Sequence, residues 1–352
     1  MSELVSIIIP VYQTPIQTLH DCVKSLQQQR GDDFRVEAVI VFDGKPAFDT
    51  TSILTWATAS MNVHAEIIEH AGVSAARNAG LRSASGQWAM FVDADDALAE
   101  NAVENLLKFA LQRQCDIVMG AYRSVLGADA ETHHYLNENK VFEGSECDKF
   151  CEDMLRPQRG IALAWGKLYR MSVLRSIQGF NESLSLGEDA EFAFRACVVA
   201  RRIGYVDAMA YEYRRNAQSA VRTFRTDYVR RTVKGIEALQ DTVRQMEPAD
   251  TREAYMQCLD DYALFHLTII MINYLFNPQA PWGRKERKTR YRQTLNLPVF
   301  QEPLLRYRGG RFPITRRVAL LSMKWHRYDI SAAIAWARHR QFGDGTIKPT
   351  NE

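Results

Sequence analysis

A chain of 352 residues, 46% hydrophobic and 24% charged, has the make-up of a packed globular protein, which excludes a disordered or collagen-like chain. Its length suits one large domain with an appended module. The net charge of +2 conceals an asymmetry: residues 281–342 hold fifteen Lys or Arg against Glu286, Glu302 and Asp329, whereas residues 1–280 sum to about −9.

In chain order, residues 4–10 are an apolar run closed by a proline. Thr14-Pro15-Ile16-Gln17 follows, with the residue types of an N-cap, a proline at the first helical position and a capping-box glutamine. The helix predicted there has Leu19, Cys22, Val23 and Leu26 on one face and ends before Gly31. Residues 36–42 are the next buried strand, ending in Asp43-Gly44. Residues 65–69 read as a third strand, 73–84 as a helix and 88–92 as a fourth strand, ending in Asp93-Ala94-Asp95-Asp96. A helix over 99–113 leads to a strand over 116–122. Strands alternating with helices at this spacing imply an α/β domain with a mostly parallel sheet between helical layers. Such sheets bind ligands at the carboxyl ends of their strands, where both acidic turns fall.

Residues 125–159 carry a weaker, mixed pattern. Order returns at 165–174, then at the turn Leu186-Gly187-Glu188-Asp189, which opens a helix through Phe192, Ala196, Val199 and Ile203. Beyond Tyr213 the chain is predominantly helical to about Phe276. Residues 262–276 come nearest to a membrane span but contain His266 and Asn273, and no stretch reaches ~18 uninterrupted apolar residues. A buried helix is expected there. The six cysteines are scattered and no signal peptide precedes Met1-Ser2-Glu3, which suits a reducing cytoplasm. Cys147 and Cys151 stand one helical turn apart, but without a second Cys/His pair at ligand spacing they read as inert thiols.

Three segments could carry chemistry. Asp93, Asp95 and Asp96 at one strand end repel one another unless solvent or a cation offsets the charge. Mg²⁺ or Mn²⁺ takes one or two carboxylates and completes its shell with phosphate and water oxygens, as nucleoside-diphosphate binding needs. The plainer reading is an acidic loop in which Asp96 caps the next helix. The segment from Gly72 to Gly80 sets Arg77 and Asn78 among small residues. That suits a phosphate or base contact, or simply a packed Ala-rich helix. Glu188-Asp189 at a helix start could hold an ionised base for an acceptor hydroxyl, or be an ordinary acidic first turn.

Taken together, in order and spacing, these segments resemble glycosyltransferase family 2, the inverting enzymes of the GT-A fold, of the bacterial surface-polysaccharide type. Val5-Ser6-Ile7-Ile8-Ile9-Pro10-Val11-Tyr12 is similar to the family's first strand and nucleotide-binding turn. Val39 to Gly44 resembles its uracil-binding turn, Gly72 to Gly80 its Arg-Asn-x-Gly helix, and Phe91 to Asp96 its Asp-x-Asp metal motif. Trp165-Gly166-Lys167-Leu168-Tyr169-Arg170 and Leu186 to Phe192 are similar to its acceptor-side and base segments. The resemblance covers residues 4–222.

It implies that Pro10, Val11, Tyr12, Asp43, Arg77, Asp93 and Ala94 hold the nucleotide, and that Asp95, with Asp93, holds Mn²⁺ or Mg²⁺. Asp189 would be the base, supported by Glu188. Trp165 and Lys167 would lie on the acceptor side, and Ser219 and Arg222 near the diphosphate. Two departures stand out: Phe42 replaces the first of the family's two aspartates, and Lys45-Pro46 replaces Ser-Thr. Absence of the processive synthases' Gln-x-x-Arg-Trp motif favours single-sugar addition of hexosyltransferase type.

The expected organisation is a catalytic domain over 1–222 and a helical, basic module over 223–352. Within the former, residues 1–125 would be the nucleotide half and 126–222 the acceptor half. In the module, Arg316, Arg317, Lys324, Arg327, Arg338 and Arg340 interleave with Val318, Leu320, Leu321, Trp325, Tyr328, Ile334 and Trp336. This mixture suits an interfacial helix on an anionic leaflet, or an apolar stripe packed on protein. No nucleic-acid motif accompanies it. The expected partners are a UDP-sugar, a lipid-linked saccharide and the inner face of the cell membrane. A nucleotidyltransferase is one rival, though residues 10–15 lack the glycine and basic residue of its loop. A catalytically silent carbohydrate-binding protein on the same fold is the other.

Overall fold

The computed structural model describes residues 2–59, 61–127, 129–215, 224–310 and 312–342. The chain divides into two units: residues 1–151 with 161–216, and residues 152–160 with 217–352.

The first unit is built on a sheet of ten strands: β1 (Glu3–Val11), β2 (Phe34–Asp43), β3 (Met61–Ile68), β4 (Trp88–Phe91), β5 (Ala97–Leu98), β6 (Ile117–Leu126), β7 (Asp129–His133), β8 (Lys140–Glu143), β9 (Lys167–Arg170) and β10 (Arg202–Arg214). Their order is β3-β2-β1-β4-β9-β6-β10-β5, with β7 on β6 and β8 on β10. Strands β3, β2, β1 and β4 run parallel, as do β6 and β10. The short β9 lies antiparallel between β4 and β6 and joins the two parallel sets.

Helices α1 (Ile16–Gln27), α2 (Val73–Ser83), α3 (Ala102–Arg113), α4 (Ser145–Met154), α5 (Met171–Ser176) and α6 (Glu188–Val199) follow the strands. This is the expected α/β architecture, a mostly parallel sheet with its connecting helices, followed by a helical C-terminal region. Val5, Ile7, Ile9, Val36, Ala38 and Ile40 alternate onto one sheet face, against Leu19, Cys22, Val23 and Leu26 of α1. On α2, a Cβ at Gly80 would stand 2.5 Å from Cγ2 of Ile8, so only glycine lets this helix lie so close to β1.

Three local expectations are corrected. Thr14 is not the cap of α1: Pro15 is, and the Thr14 hydroxyl donates instead to the Tyr12 carbonyl at 3.4 Å. Ile203 belongs to β10, not to the preceding helix, because α6 ends at Val199 and Gly204 sits where a Cβ would meet the Phe109 ring at 2.8 Å. The mixed segment resolves into β7, β8 and α4. None of the six cysteines forms a disulfide, and all are buried.

The second unit contains α7 (Tyr228–Arg244), α8 (Ala249–Ile270), a π turn (Met271–Leu275), α9 (Arg284–Leu295), α10 (Pro298–Arg306), α11 (Ile314–Lys324) and α12 (Tyr328–Phe342). Helix α8 is its centre and packs against α7, α10 and α11. Leu259, Ala263, Leu264, Leu267, Ile270 and Met271 are buried, as the apolar run implied. On α11, Ala319, Leu320 and Met323 are buried, whereas Val318, the following Trp325 and Trp336 of α12 are exposed. Among the described residues no helix is long and apolar enough to cross a membrane.

His266 of α8 lies against Tyr262 and Phe265, and burial, with the nearby Arg316 charge, lowers its pKa from 6.5 to about 4. The folded state therefore holds this imidazole neutral in a pH range where an unfolded chain would protonate it. Stability should be intact above pH 6.5 and fall by about 3 kcal/mol as pH drops to 4. Urea titrations across that range check this, and the slope should flatten in His266→Gln.

Candidate active site

Parallel strands β1, β2 and β4 deliver their carboxyl ends to one edge. Val11 pairs with Phe42 and Ile8 with Phe91, so Tyr12, Asp43 and the 93–96 turn emerge side by side. Tyr12 is 52% exposed and stacks on the His70 ring at 4.5 Å with planes 14° apart. Asp43 is buried. Its carboxylate accepts from the backbone N–H of Ala71 (2.7 Å) and of Gly72 (3.0 Å) and pairs with His70 Nδ1 at 2.9 Å. Asp43 thus fixes the loop before α2 and sets His70 on Tyr12, a contact with no signature in the spacing of the sequence.

The two acidic segments meet through Arg77. From the second turn of α2, its buried guanidinium reaches Asp93 Oδ1 with Nη2 (2.9 Å) and Asp189 Oδ1 with Nη1 (2.5 Å). Burial opposes this charge, but Asp189 and Asp93 outweigh it and hold Arg77 firmly cationic. Phe180 lies under the guanidinium, 5.1 Å from its carbon. Asp189, in the first turn of α6, keeps 22% of its side chain exposed, and Asp93 keeps 32%. Burial pushes the Asp189 carboxyl above the ordinary carboxylate range, with Arg77 opposing. Glu188 is raised as well, first by burial and then by Asp189. Gly187, at φ +81°, supplies the left-handed turn that opens α6.

Asp96 does not cap α3, whose N-cap is Asn101. Its carboxylate instead accepts from the Tyr211 hydroxyl (2.7 Å) and the Arg214 N–H (2.8 Å), and burial together with Asp93 raises its pKa to about 8. The same Tyr211 hydroxyl accepts from the Asp93 N–H at 3.1 Å. Asp96 and Tyr211 therefore build the turn, in which Asp93 and Asp95 stay half-buried. Among the described residues no three His, Cys, Asp or Glu side chains cluster to hold a metal. A pair of carboxylates does fit a hard cation that draws its other ligands from phosphate and water.

Trp165 and Lys167 are buried. Trp165 stacks on Tyr211 at 4.3 Å. Lys167 donates from Nζ to the Leu163 carbonyl (2.6 Å), and burial lowers its pKa to about 8, with Asp189 among the charges that oppose this. Ser219 and Arg222 lie outside the described residues. Asn78, which sequence reasoning treated as a neighbour of Arg77, ties the loop before α6 to α2. Its Nδ2 donates to the Phe180 carbonyl and to Glu182, and its Oδ1 accepts from the Phe180 N–H. A Cβ at Gly179 would stand 2.4 Å from that Oδ1. Glu191 and Arg195 secure the same loop through the carbonyls of Ile177 and Gly179.

Residues 6–178 match the family model described as Glycosyl transferase family 2. EpsH of Bacillus subtilis (strain 168), named as a glycosyltransferase, is 26% identical over 346 residues, 91% of each chain. EpsJ of the same organism, named an uncharacterized glycosyltransferase, is 31% identical over 62% of this chain and 63% of its own. TarS of Staphylococcus aureus, named a poly(ribitol-phosphate) beta-N-acetylglucosaminyltransferase, is 24% identical over 59% of this chain and 35% of its own. The structure of S. aureus TarS 1–349 in complex with UDP has the same fold, with a TM-score of 0.67 and 17% identity over 97% of this chain and 92% of that one. These likenesses favour a glycosyltransferase over the nucleotidyltransferase and silent-scaffold readings. Residues 6–178 form a glycosyltransferase family 2 domain, and the protein is a glycosyltransferase.

Proposed function

We propose that the protein is an inverting, metal-assisted enzyme that moves one hexose-type sugar from a UDP-sugar to a hydroxyl of a lipid-linked saccharide. It would work at the inner face of the cell membrane, in assembly of bacterial surface polysaccharide. The observation that carries this reading is the Arg77 bridge, which draws Asp93 and Asp189 to one guanidinium from segments 96 residues apart in sequence.

In this reading Pro10, Val11 and Tyr12 at the end of β1, with Asp43 and the Asp93-Ala94 backbone, hold the uridine. Asp95 and Asp93 hold Mn²⁺ or Mg²⁺, which would neutralise charge on the leaving diphosphate. Asp189 accepts the acceptor's hydroxyl proton on the carboxylate oxygen that Arg77 leaves free. Attack from the face opposite the diphosphate inverts the anomeric carbon. The beta in TarS's name supports that outcome, and the UDP in its structure supports the donor class. Glu188 adds negative charge beside the base, while the buried Lys167, whose charge Asp189 feels, and Trp165, stacked on Tyr211, support the site from below the surface rather than touching the acceptor. The basic second unit, with Val318, Trp325 and Trp336 exposed, supports membrane contact.

Asp95→Ala should abolish Mn²⁺-dependent binding of UDP-sugars, read by calorimetry with and without the cation. Undiminished, cation-dependent binding in that variant would remove Asp95 as a ligand.

A further inference from the structure

Apart from the transfer site, one cavity in the second unit gathers cations without their counter-charges. It measures about 370 Å³ and lies between α9 and the turn from α11 into α12. Lys288 and Arg292 line it from successive turns of α9, and His326 and Arg327 line it from the turn. Among the described residues no carboxylate forms an ion pair with Lys288, Arg292 or Arg327. The cavity's one acid, Asp329, is engaged by Arg284 at 3.0 Å.

Behind the lining, the hydroxyls are hydrogen-bonded to one another. Tyr291, buried, shares its hydroxyl with Ser331 Oγ (2.9 Å), which meets Ser322 Oγ at 2.7 Å. Lys288 Nζ is held 5.1 Å from the centre of the Tyr328 ring, at the mouth. The 15-residue α12 begins at this wall and adds the positive end of its dipole. Lys288, Arg292 and Arg327 repel one another around a cavity whose single acid is already paired, and an anion would offset that repulsion; two guanidinium forks beside an ammonium match phosphate oxygens.

We propose that this cavity is a binding site for a phosphomonoester or diphosphate group, presented by a lipid headgroup. Ile330 in the lining and Trp325, next to His326 and 63% exposed, favour the lipid as the source, since both suit the zone just beneath headgroups. The choice of source rests on the membrane-facing reading above; the phosphate chemistry does not.

The test uses the full chain in EDTA, so that a cation-dependent donor site is silent. Binding of inorganic pyrophosphate and of phosphatidylcholine vesicles with and without phosphatidic acid is compared among three proteins: wild type, Lys288→Gln/Arg327→Gln, and the equal-charge control Lys285→Gln/Arg317→Gln. The expected result is at least tenfold weaker binding to phosphatidic acid vesicles and to pyrophosphate in the cavity variant alone. Lys288→Arg/Arg327→Lys should restore binding, which separates charge loss from misfolding.

Cavity-dependent binding of pyrophosphate with no vesicle binding by wild type would keep the phosphate site but assign it a soluble ligand and end the membrane reading. Vesicle binding weakened equally in both glutamine variants, with no pyrophosphate bound, would overturn the site while leaving a diffuse membrane-facing surface. Wild type that binds neither probe overturns both.

Discussion

Asp189→Asn is expected to lower kcat by ~10²- to 10⁴-fold while leaving the donor KM nearly unchanged. Asparagine still offers an oxygen to Arg77 Nη1, so the link from α6 to α2 persists and the fold with it. What is lost is the capacity to take a proton. Because burial raises the Asp189 carboxyl above its ordinary range, it is a stronger base than a free carboxylate, and activity should fall as pH drops through that raised value. Steady-state rates over a pH series, with the variant alongside, check both parts. Equal loss of donor affinity and turnover would mark Asp189 as structural.

The second large effect concerns stability. Arg77→Leu should cost about 3 kcal/mol, because it leaves Asp93 and Asp189 facing each other without the cation between them. Both carboxylates keep some solvent contact, which places the loss at the lower end for a broken buried pair. Arg77→Lys should recover only part of it, since one ammonium cannot reproduce two nitrogens aimed at two carboxylates. Denaturant midpoints read the stability. Turnover measured well below the unfolding range then tells whether Asp189 alone, no longer oriented, still serves as base. An unchanged midpoint in Arg77→Leu would mean that the bridge contributes nothing to holding the site together.

Much of this was legible in the sequence for a local reason. Strands β1, β2 and β4 are mostly apolar segments, broken by Ser6 in β1 and by Arg35 and Glu37 in β2, and buried parallel strands have that appearance. Helix α6 was announced by Gly187 and its acidic first turn. Strand β10 was hidden because Val199 and Ile203 continue the helical spacing of Phe192 and Ala196; only the close packing at Gly204 breaks it.

The site's scaffolding was less visible, since it depends on pairs far apart in the chain. Asp96 reads as a helix cap until Tyr211, 115 residues later, takes its carboxylate. Asn78 reads as the companion of Arg77 until Phe180 is seen fastened to it. His70 had no pattern at all; an imidazole beside a loop aspartate acquires meaning only when Tyr12 is found stacked against it.

In the proposed reaction one sugar nucleotide and its cation engage both acidic segments at once. Paramagnetic broadening by Mn²⁺ of the UDP-bound protein, read by NMR at amides 93–96 and 187–190, tests this most directly. Both groups of signals should fade together along a single Mn²⁺ titration and should persist in Asp95→Ala. If the 187–190 signals stay sharp while 93–96 vanish, Asp189 stands away from the bound diphosphate and is not the base.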